Sequence, residues 1–145
     1  FIVGDGELRN DLINQTKELA LEKRIHFLGY RSDVVECINS FDFLVSSSLY
    51  EGLALNVIEA FMNEKTMVAT DIPGINEIVN ASNGIIVPVK DPKAMAQAIE
   101  QLAEDPERRA FLAAQAKKDY ESKYSYSIFL DNYRHFYQSM RKGSK

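Results

Sequence analysis

Apolar residues recur along this chain in short runs separated by longer amphipathic stretches, and that alternation predicts its elements. Phe1-Ile2-Val3 reads as a strand, closed by Gly4-Asp5-Gly6, and Leu8, Leu12, Leu19 and Leu21 then recur at spacings that suit one helix face. A second unit starts with Ile25-His26-Phe27-Leu28, turns at Gly29-Tyr30-Arg31-Ser32, and enters a short helix near Asp33, whose carboxylate is placed to cap the helix amides. A third has a strand at residues 41–45, a polar loop at 46–52, and a helix at 55–63 carrying Val57, Ile58, Ala60 and Phe61. Met67-Val68-Ala69 is a fourth strand. The turn at 70–74 leads to a short helix through Ile78 and Val79, and Gly84-Ile85-Ile86-Val87 is a fifth strand. Short apolar strands alternating with amphipathic helices predict βαβ units around a parallel sheet, an α/β fold. From Asp91-Pro92 onward the pattern is helical, over 92–103, 106–122 and 127–141, with Asp91 and Asp105 placed as caps before prolines. Residues 143–145 read as a frayed end.

Composition narrows this picture. The 145 residues are 46% hydrophobic and 26% charged, which fits one compact globular domain over residues 1–145; there is no long linker and no repeat beyond the βα alternation. A formal net charge of −4 gives no global footprint for nucleic acid, so any anion site must be local. Cys37 is the only cysteine, which rules out an intrachain disulfide and favours a reducing, cytoplasmic setting. No apolar run approaches the roughly 20 residues that span a bilayer. The chain opens on a strand-like run with no preceding methionine or turn, and it is therefore expected to be a fragment.

In an open parallel sheet, ligands bind beyond the carboxyl ends of the strands, so the loops at 4–6, 29–31, 46–52 and 71–74 are the ones that matter. Gly4-x-Gly6 opens a helix, where Gly6 is a candidate donor contact because small residues let a phosphate reach helix-terminal amides. The full dinucleotide fingerprint fails, since position 9 is Arg9 and Asp5 puts a negative charge in the turn. A plain turn and a ligand loop both account for the two glycines. Residues 46–52 group three serines, Glu51 and Gly52 at one strand end. Glu59 follows Glu51 by eight positions, close to two helical turns of about 7.2 residues, so both carboxylates can address one cleft. Carboxylates accept hydrogen bonds from paired hydroxyls and suit a ligand rich in vicinal diols. Between them Gly52, Leu53, Ala54 and Leu55 start the helix, where free amides can meet a diphosphate or sugar oxygens. An exposed acid favoured by the helix dipole at 51 and an ordinary surface glutamate at 59 remain the plain alternative. His26 and His135 are isolated, and no metal-ligand cluster is visible.

The run Leu49-Tyr50-Glu51-Gly52-Leu53-Ala54-Leu55-Asn56-Val57-Ile58-Glu59-Ala60 resembles the Glu-x7-Glu signature of glycosyltransferase family 4, whose members have the GT-B fold. Phe1 to Arg9, Phe27-Leu28-Gly29-Tyr30, Val68 to Ile78 and Asn83 to Pro88 follow the family's order and spacing, so the likeness covers nearly the whole chain.

The resemblance implies a Rossmann-like C-terminal half of a GT-B enzyme with a helical tail, lacking its first strand-helix unit and the N-terminal acceptor domain. It implies retaining transfer, of hexosyl type, from a nucleotide-diphosphate sugar to an acceptor such as a polysaccharide, lipid or glycan precursor. No metal or other cofactor is expected. Glu51 is then the key catalytic-site group, contacting donor sugar hydroxyls as a positioning group and not as a general base. Glu59 holds the ribose, and Gly52, Leu53, Ala54 and Leu55 offer backbone contacts. Tyr30 and Arg31 border the nucleobase through their backbone, although a half-buried tyrosine flanking a turn accounts equally well for Tyr30. The aromatic residues of the last helix, Tyr126, Phe129, Tyr133, Phe136 and Tyr137, either pack on this domain or face the N-terminal domain. The full-length enzyme is expected to be cytoplasmic, with peripheral membrane association through its other half.

Two departures stand out: Ala54 where the family often has glycine, and the family's upstream Arg and Lys pair, which these residues do not include. Without that pair, the isolated chain is expected to be inactive. A non-catalytic nucleotide- or sugar-binding module is the alternative reading. The broken glycine fingerprint speaks against a dinucleotide-dependent dehydrogenase, and the lack of an acidic phosphorylation pocket speaks against a signalling receiver.

Overall fold

The computed structural model describes residues 1–142; the chain end at 143–145, expected to fray, lies outside the described residues. The chain forms two compact units, the first covering Phe1–Val34 and the second beginning at Val35.

In the first unit, β1 (Ile2–Val3) pairs in parallel with β2 (Phe27–Gly29), and α1 (Arg9–Glu18) connects them. Ile2 sits opposite Phe27 and Val3 opposite Gly29, with a shift of register between them. The Gly4 amide extends the ladder by donating to the Gly29 carbonyl at 2.8 Å. The leucine face expected for the first helix is only partly realised. Leu8 and Leu19 fall outside α1, and Leu8, Leu12 and Leu19 are exposed. A pair of strands two and three residues long offers too little apolar surface to cover such a face. Thr16 is the buried side chain of α1, and its hydroxyl donates back to the Leu12 carbonyl at 2.8 Å.

The second unit holds most of α2 (Val34–Ser40), then β3 (Leu44–Ser46), α3 (Leu55–Met62), β4 (Met67–Thr70), β5 (Ile85–Val87), α4 (Pro92–Glu104), α5 (Pro106–Asp119) and α6 (Tyr126–Lys142). Its sheet runs β3-β4-β5, all parallel, with Ser46 opposite Ala69 and Thr70 opposite Val87. The central strand β4 is buried along its whole length, and its side chains alternate between two cores. Met67 and Ala69 pack with Ala54, Val57, Ala60 and Phe61 at and within α3, together with Ile72, Ile75 and Val79. Val68 packs with Val87, with Ala98 and Leu102 of α4, and with Leu112 of α5. Helices therefore cover both faces of a parallel sheet, as the α/β reading requires.

The aspartate caps form as expected: Asp91 accepts from the Ala94 amide at 2.9 Å and Asp105 from the Arg108 amide at 2.8 Å, each ahead of a proline in the first turn. Most element ends agree with the sequence pattern to within one or two residues.

Three expectations are corrected. Strand pairing in β3 begins at Leu44, not at residue 41, because the Phe41 amide closes a turn onto the Ile38 carbonyl at 3.2 Å; Ser46 consequently belongs to the strand. The short helix through Ile78 and Val79 is a series of turns anchored on the Ile72 and Ile75 carbonyls. Gly74, at φ +87°, has left the right-handed helical region, so no continuous helix can run through it. Finally, the α-helix expected over 106–122 stops at Asp119, and Tyr120–Tyr124 form a π-helical turn that leads into α6. The described part of α6 leaves Tyr126, Phe129, Tyr133, Phe136, Tyr137 and Met140 at least half exposed, so the described residues do not bury this face.

Candidate functional site

Glu51 lies in the loop that follows β3, and its surroundings come from two neighbouring strand ends. Ser46, the last residue of β3, is buried; Ser48 and Glu51 are half-buried. The Ser48 hydroxyl donates to Glu51 Oε1 at 2.9 Å, and the Ser46 and Ser48 hydroxyls lie 3.3 Å apart. At the end of β4, the buried Thr70 hydroxyl donates to the Ser48 carbonyl at 2.6 Å. Beyond it, Gly74 approaches the loop so closely that a β-carbon placed there would lie 3.1 Å from the Glu51 carbonyl oxygen and 3.3 Å from that of Gly52. The three-serine cluster legible in the sequence thus serves largely to hold Glu51. Ser47 is the exposed member.

The chain then enters α3. Ala54 precedes the helix and is fully buried within the core, so its small side chain serves packing, while Leu53 and Leu55 are exposed. The expected row of free helix-start amides is shorter than anticipated. The Leu55 amide bonds to the Leu53 carbonyl at 2.8 Å, and the Val57 amide is shared between the Ala54 carbonyl and Asn56 Oδ1. Gly52 has open space where a side chain would project. Glu59, further along α3, is half-buried, and no hydrogen-bond or ion-pair partner for its carboxylate is found among the described residues. The Glu59 carboxylate therefore keeps its acceptor capacity unspent within the described residues.

Gly6 and the Tyr30–Arg31 segment belong to the first unit. The Gly6 amide is already taken by Asp5 Oδ1 at 2.9 Å, and Arg9 approaches the same carboxylate at 4.0 Å. Of the two readings of this turn, the Asp5–Gly6 bond favours the plain turn. Beside it lies an open groove of about 230 Å³, lined mostly by the apolar side chains of Ile2, Val3, Leu8, Leu12 and Phe27. Tyr30 is 81% exposed, not half-buried. Arg31 forms a two-pronged ion pair with Asp33, through Nε at 2.7 Å and through Nη2. The Arg31 guanidinium, aided by the Asp33 backbone amide, holds the Asp33 carboxyl below its ordinary value. Asp33 is thus paired to Arg31 immediately ahead of α2.

Among the described residues, no group of three or more His, Cys, Asp and Glu side chains is placed to hold a metal ion, and no helix is long and apolar enough to cross a membrane. The sequence pattern did not single out Thr70 or Gly74 as partners of Glu51. The only signal was indirect, a hydroxyl and a glycine bracketing the loop after the neighbouring strand.

The profile described as "Glycosyl transferases group 1" matches residues 1–119. The chain is 34% identical over 119 residues to an N,N'-diacetylbacillosaminyl-diphospho-undecaprenol α-1,3-N-acetylgalactosaminyltransferase of Campylobacter jejuni, covering 81% of this chain and 31% of that protein. Among solved structures, Anabaena HepE in complex with UDP-glucose superposes with a TM-score of 0.84 at 27% identity, over 94% of this chain and 40% of that one. The C-terminal domain of the glycosyl transferase group 1 protein LpcC from Francisella tularensis superposes with a TM-score of 0.76 at 25% identity, over 83% of this chain and 64% of that one. The chain spans about a third of the length of the curated relatives it matches, from 30% to 37% in three of them.

Proposed function

The chain belongs to the glycosyl transferases group 1 family, and from that premise we propose that it is the donor-binding part of a retaining glycosyltransferase. The observation that carries this reading is the β3–α3 segment of the second unit. There a half-buried Glu51 is fixed through one oxygen by Ser48, and the carboxylate of a half-buried Glu59 has no hydrogen-bond or ion-pair partner found among the described residues. Glu51 accepts hydrogen bonds from hydroxyls of the donor sugar, and Glu59 accepts them from the ribose. Gly52, where an added side chain would meet nothing within 4 Å, leaves room for the ligand to approach the backbone at the start of α3. Leu53, Ala54 and Leu55 contribute through their backbone.

In transfer, charge builds on the departing diphosphate and on an oxocarbenium-like sugar, so the protein's work is positioning and electrostatic stabilisation. Glu51 orients the sugar and moves no proton. The reaction needs no metal held by this chain. Neutralising the diphosphate calls for cationic groups, the part the family resemblance gives to an Arg and Lys pair. Residues 1–145 act as the donor-binding domain of the enzyme. Gly6, Tyr30 and Arg31 contribute donor contacts within the first unit, where the commitment of the Gly6 amide to Asp5 leaves their role resting on family resemblance. The exposed aromatic face of α6 receives the remainder of the protein. The acceptor is a sugar or lipid-linked glycan precursor, a choice supported by the name of the Campylobacter relative. A cytoplasmic location with peripheral membrane attachment of the whole enzyme completes the reading.

Isothermal titration of the full chain with UDP-glucose, GDP-mannose and ADP-glucose, each compared with its nucleoside diphosphate, tests the proposal. Glu51→Ala should weaken binding of the sugar conjugate and spare the diphosphate, whereas Glu59→Ala should weaken both. Failure of all six ligands to bind, or unchanged affinity in both variants, would sink the assignment. Binding without turnover after the rest of the enzyme is restored would favour a non-catalytic module instead.

A further inference from the structure

Ser48 is not among the donor contacts that the family resemblance supplies, and its role rests on the reading of Glu51 as a sugar-gripping group. We propose that Ser48, clamped from the neighbouring strand by Thr70, is the positioning residue that fixes the rotamer of Glu51 and leaves its second oxygen for the donor sugar.

Counting protons fixes the direction of each bond. A serine hydroxyl has one proton to give and two lone pairs to receive. Ser48 gives its proton to Glu51 Oε1 at 2.9 Å, so in the Ser46–Ser48 contact at 3.3 Å the donor must be Ser46. The result is a directed chain from Ser46 to Ser48 to Glu51, in which each donor is polarised toward the carboxylate. The Ser48 proton is therefore committed within the protein and cannot serve a ligand hydroxyl while the chain is intact. Oε1 is engaged, and no partner for Oε2 is found among the described residues, so Oε2 is the acceptor left for a sugar hydroxyl.

A side-chain brace positions only if its own backbone is held. Thr70, 3% exposed at the end of β4, donates its hydroxyl to the Ser48 carbonyl at 2.6 Å across 22 positions of sequence. Thr70 is itself fixed, because β4 is the central strand and Thr70 sits in register with Val87. The carboxylate is thus referred to the rigid middle of the sheet through a single hydroxyl, the kind of supporting contact that gives a binding group its precision. The exposed side chains beside it, Leu49 and Tyr50, cannot supply that restraint.

The test measures the sugar's share of donor affinity, taken as the ratio of UDP-glucose to UDP affinity in the full chain by isothermal titration. Ser48→Ala should reduce that ratio roughly 10- to 150-fold, the loss expected for one hydrogen bond to a charged group, and leave UDP itself unchanged. Ser48→Thr, which keeps the hydroxyl, should restore it. Thr70→Val should reproduce the loss and Thr70→Ser should not, so a second route remains if Ser48→Ala folds poorly. A purely structural role would lower UDP and UDP-glucose affinity together. In the Glu51→Ala background, Ser48→Ala should have no further effect on the ratio. If Glu51→Ala abolishes the sugar's share while Ser48→Ala and Thr70→Val leave it intact, the brace is overturned and the donor reading stands. If Glu51→Ala leaves the ratio unchanged, the sugar role of Glu51 falls and the brace falls with it.

Discussion

Gly74→Ala probes how tightly the loop after β4 is fitted to the loop that carries Glu51. Gly74 sits at φ +87°, and holding an alanine on the left-handed side of the backbone map costs about 1–2 kcal/mol. The new methyl would also lie 3.1 Å from the Glu51 carbonyl oxygen and 3.3 Å from that of Gly52, and crowding of this kind costs about 1–3 kcal/mol. Alanine loses less chain entropy than glycine on folding, which returns about 0.4–1 kcal/mol. The net expectation is a loss of about 1–5 kcal/mol. The chain has no tryptophan, so far-UV circular dichroism under urea is the suitable assay, and the midpoint should fall with an unchanged slope. If the loops relieve the crowding by moving apart, the displaced atoms are the backbone of Glu51 and Gly52, and the cost then emerges as weaker binding of UDP-glucose relative to UDP. Gly74→Asn separates the two contributions, because asparagine tolerates positive φ but keeps the β-carbon. A variant with the parent's midpoint and the parent's affinity ratio would refute the close fit of the two loops.

Two other residues give outcomes that can be measured the same way. Gly52→Ala meets no atom within 4 Å and needs no unusual backbone angle, so its urea midpoint should stay within about 0.5 kcal/mol of the parent, while UDP-glucose binding drops if a ligand passes over that backbone; intact binding would count against a donor contact there. The Asp119 carboxyl is opposed by burial, but hydrogen bonds from Lys123 and Asn83 outweigh that effect and hold it below the ordinary 3.8. A carboxyl depressed in the folded state contributes stability that is full above its unfolded value and is lost as pH falls through the folded one, so this contribution should fade below about pH 3.8. Asp119→Ala strands an Nδ2 proton of the fully buried Asn83 and should cost about 1–3 kcal/mol at pH 7. Asp119→Asn keeps an acceptor, should cost less than about 1 kcal/mol, and should flatten the acid limb of the urea midpoint measured from about pH 7 to about pH 2.5. An acid limb identical in parent and Asp119→Asn would remove Asp119 from that account.

The elements most legible in the sequence were those whose signals are local. Asp91-Pro92 and Asp105-Pro106 announced two helix starts because a cap and a proline act within a single turn. The central strand was legible because both of its faces are buried, so that Met67 to Ala69 reads as an unbroken apolar run. The failures share a different cause. The turns through Ile78 have helical spacing, but a fully buried Asn83 draws the Asn80 amide and the Ile78 carbonyl into its own hydrogen bonds, and Gly74 diverts the backbone before a helix can start. The leucines of the first unit have the spacing of a buried face, yet burial depends on what lies opposite, and the pairing of β1 with β2 supplies little to cover them.

The candidate site divides along the same line. Glu51 and Glu59 stood out as candidates in the sequence because a strand end, a glycine and a two-turn interval are all properties of one segment. What determines whether Glu51 can grip a ligand is the direction of its carboxylate, and that direction comes from Ser48, whose own carbonyl is held by Thr70 at the end of the next strand. The dependence spans two strands in parallel register, and such register is invisible until Ser46 is seen opposite Ala69. A cluster of hydroxyls beside an acid therefore has two physical meanings, direct ligand contact or internal support, and composition alone does not choose between them. The count of protons does choose here: once Ser48 has given its one proton to Glu51, it braces that carboxylate and cannot also donate to a ligand. Ser47, exposed and outside that chain, is the serine of the three whose proton is left for solvent or substrate.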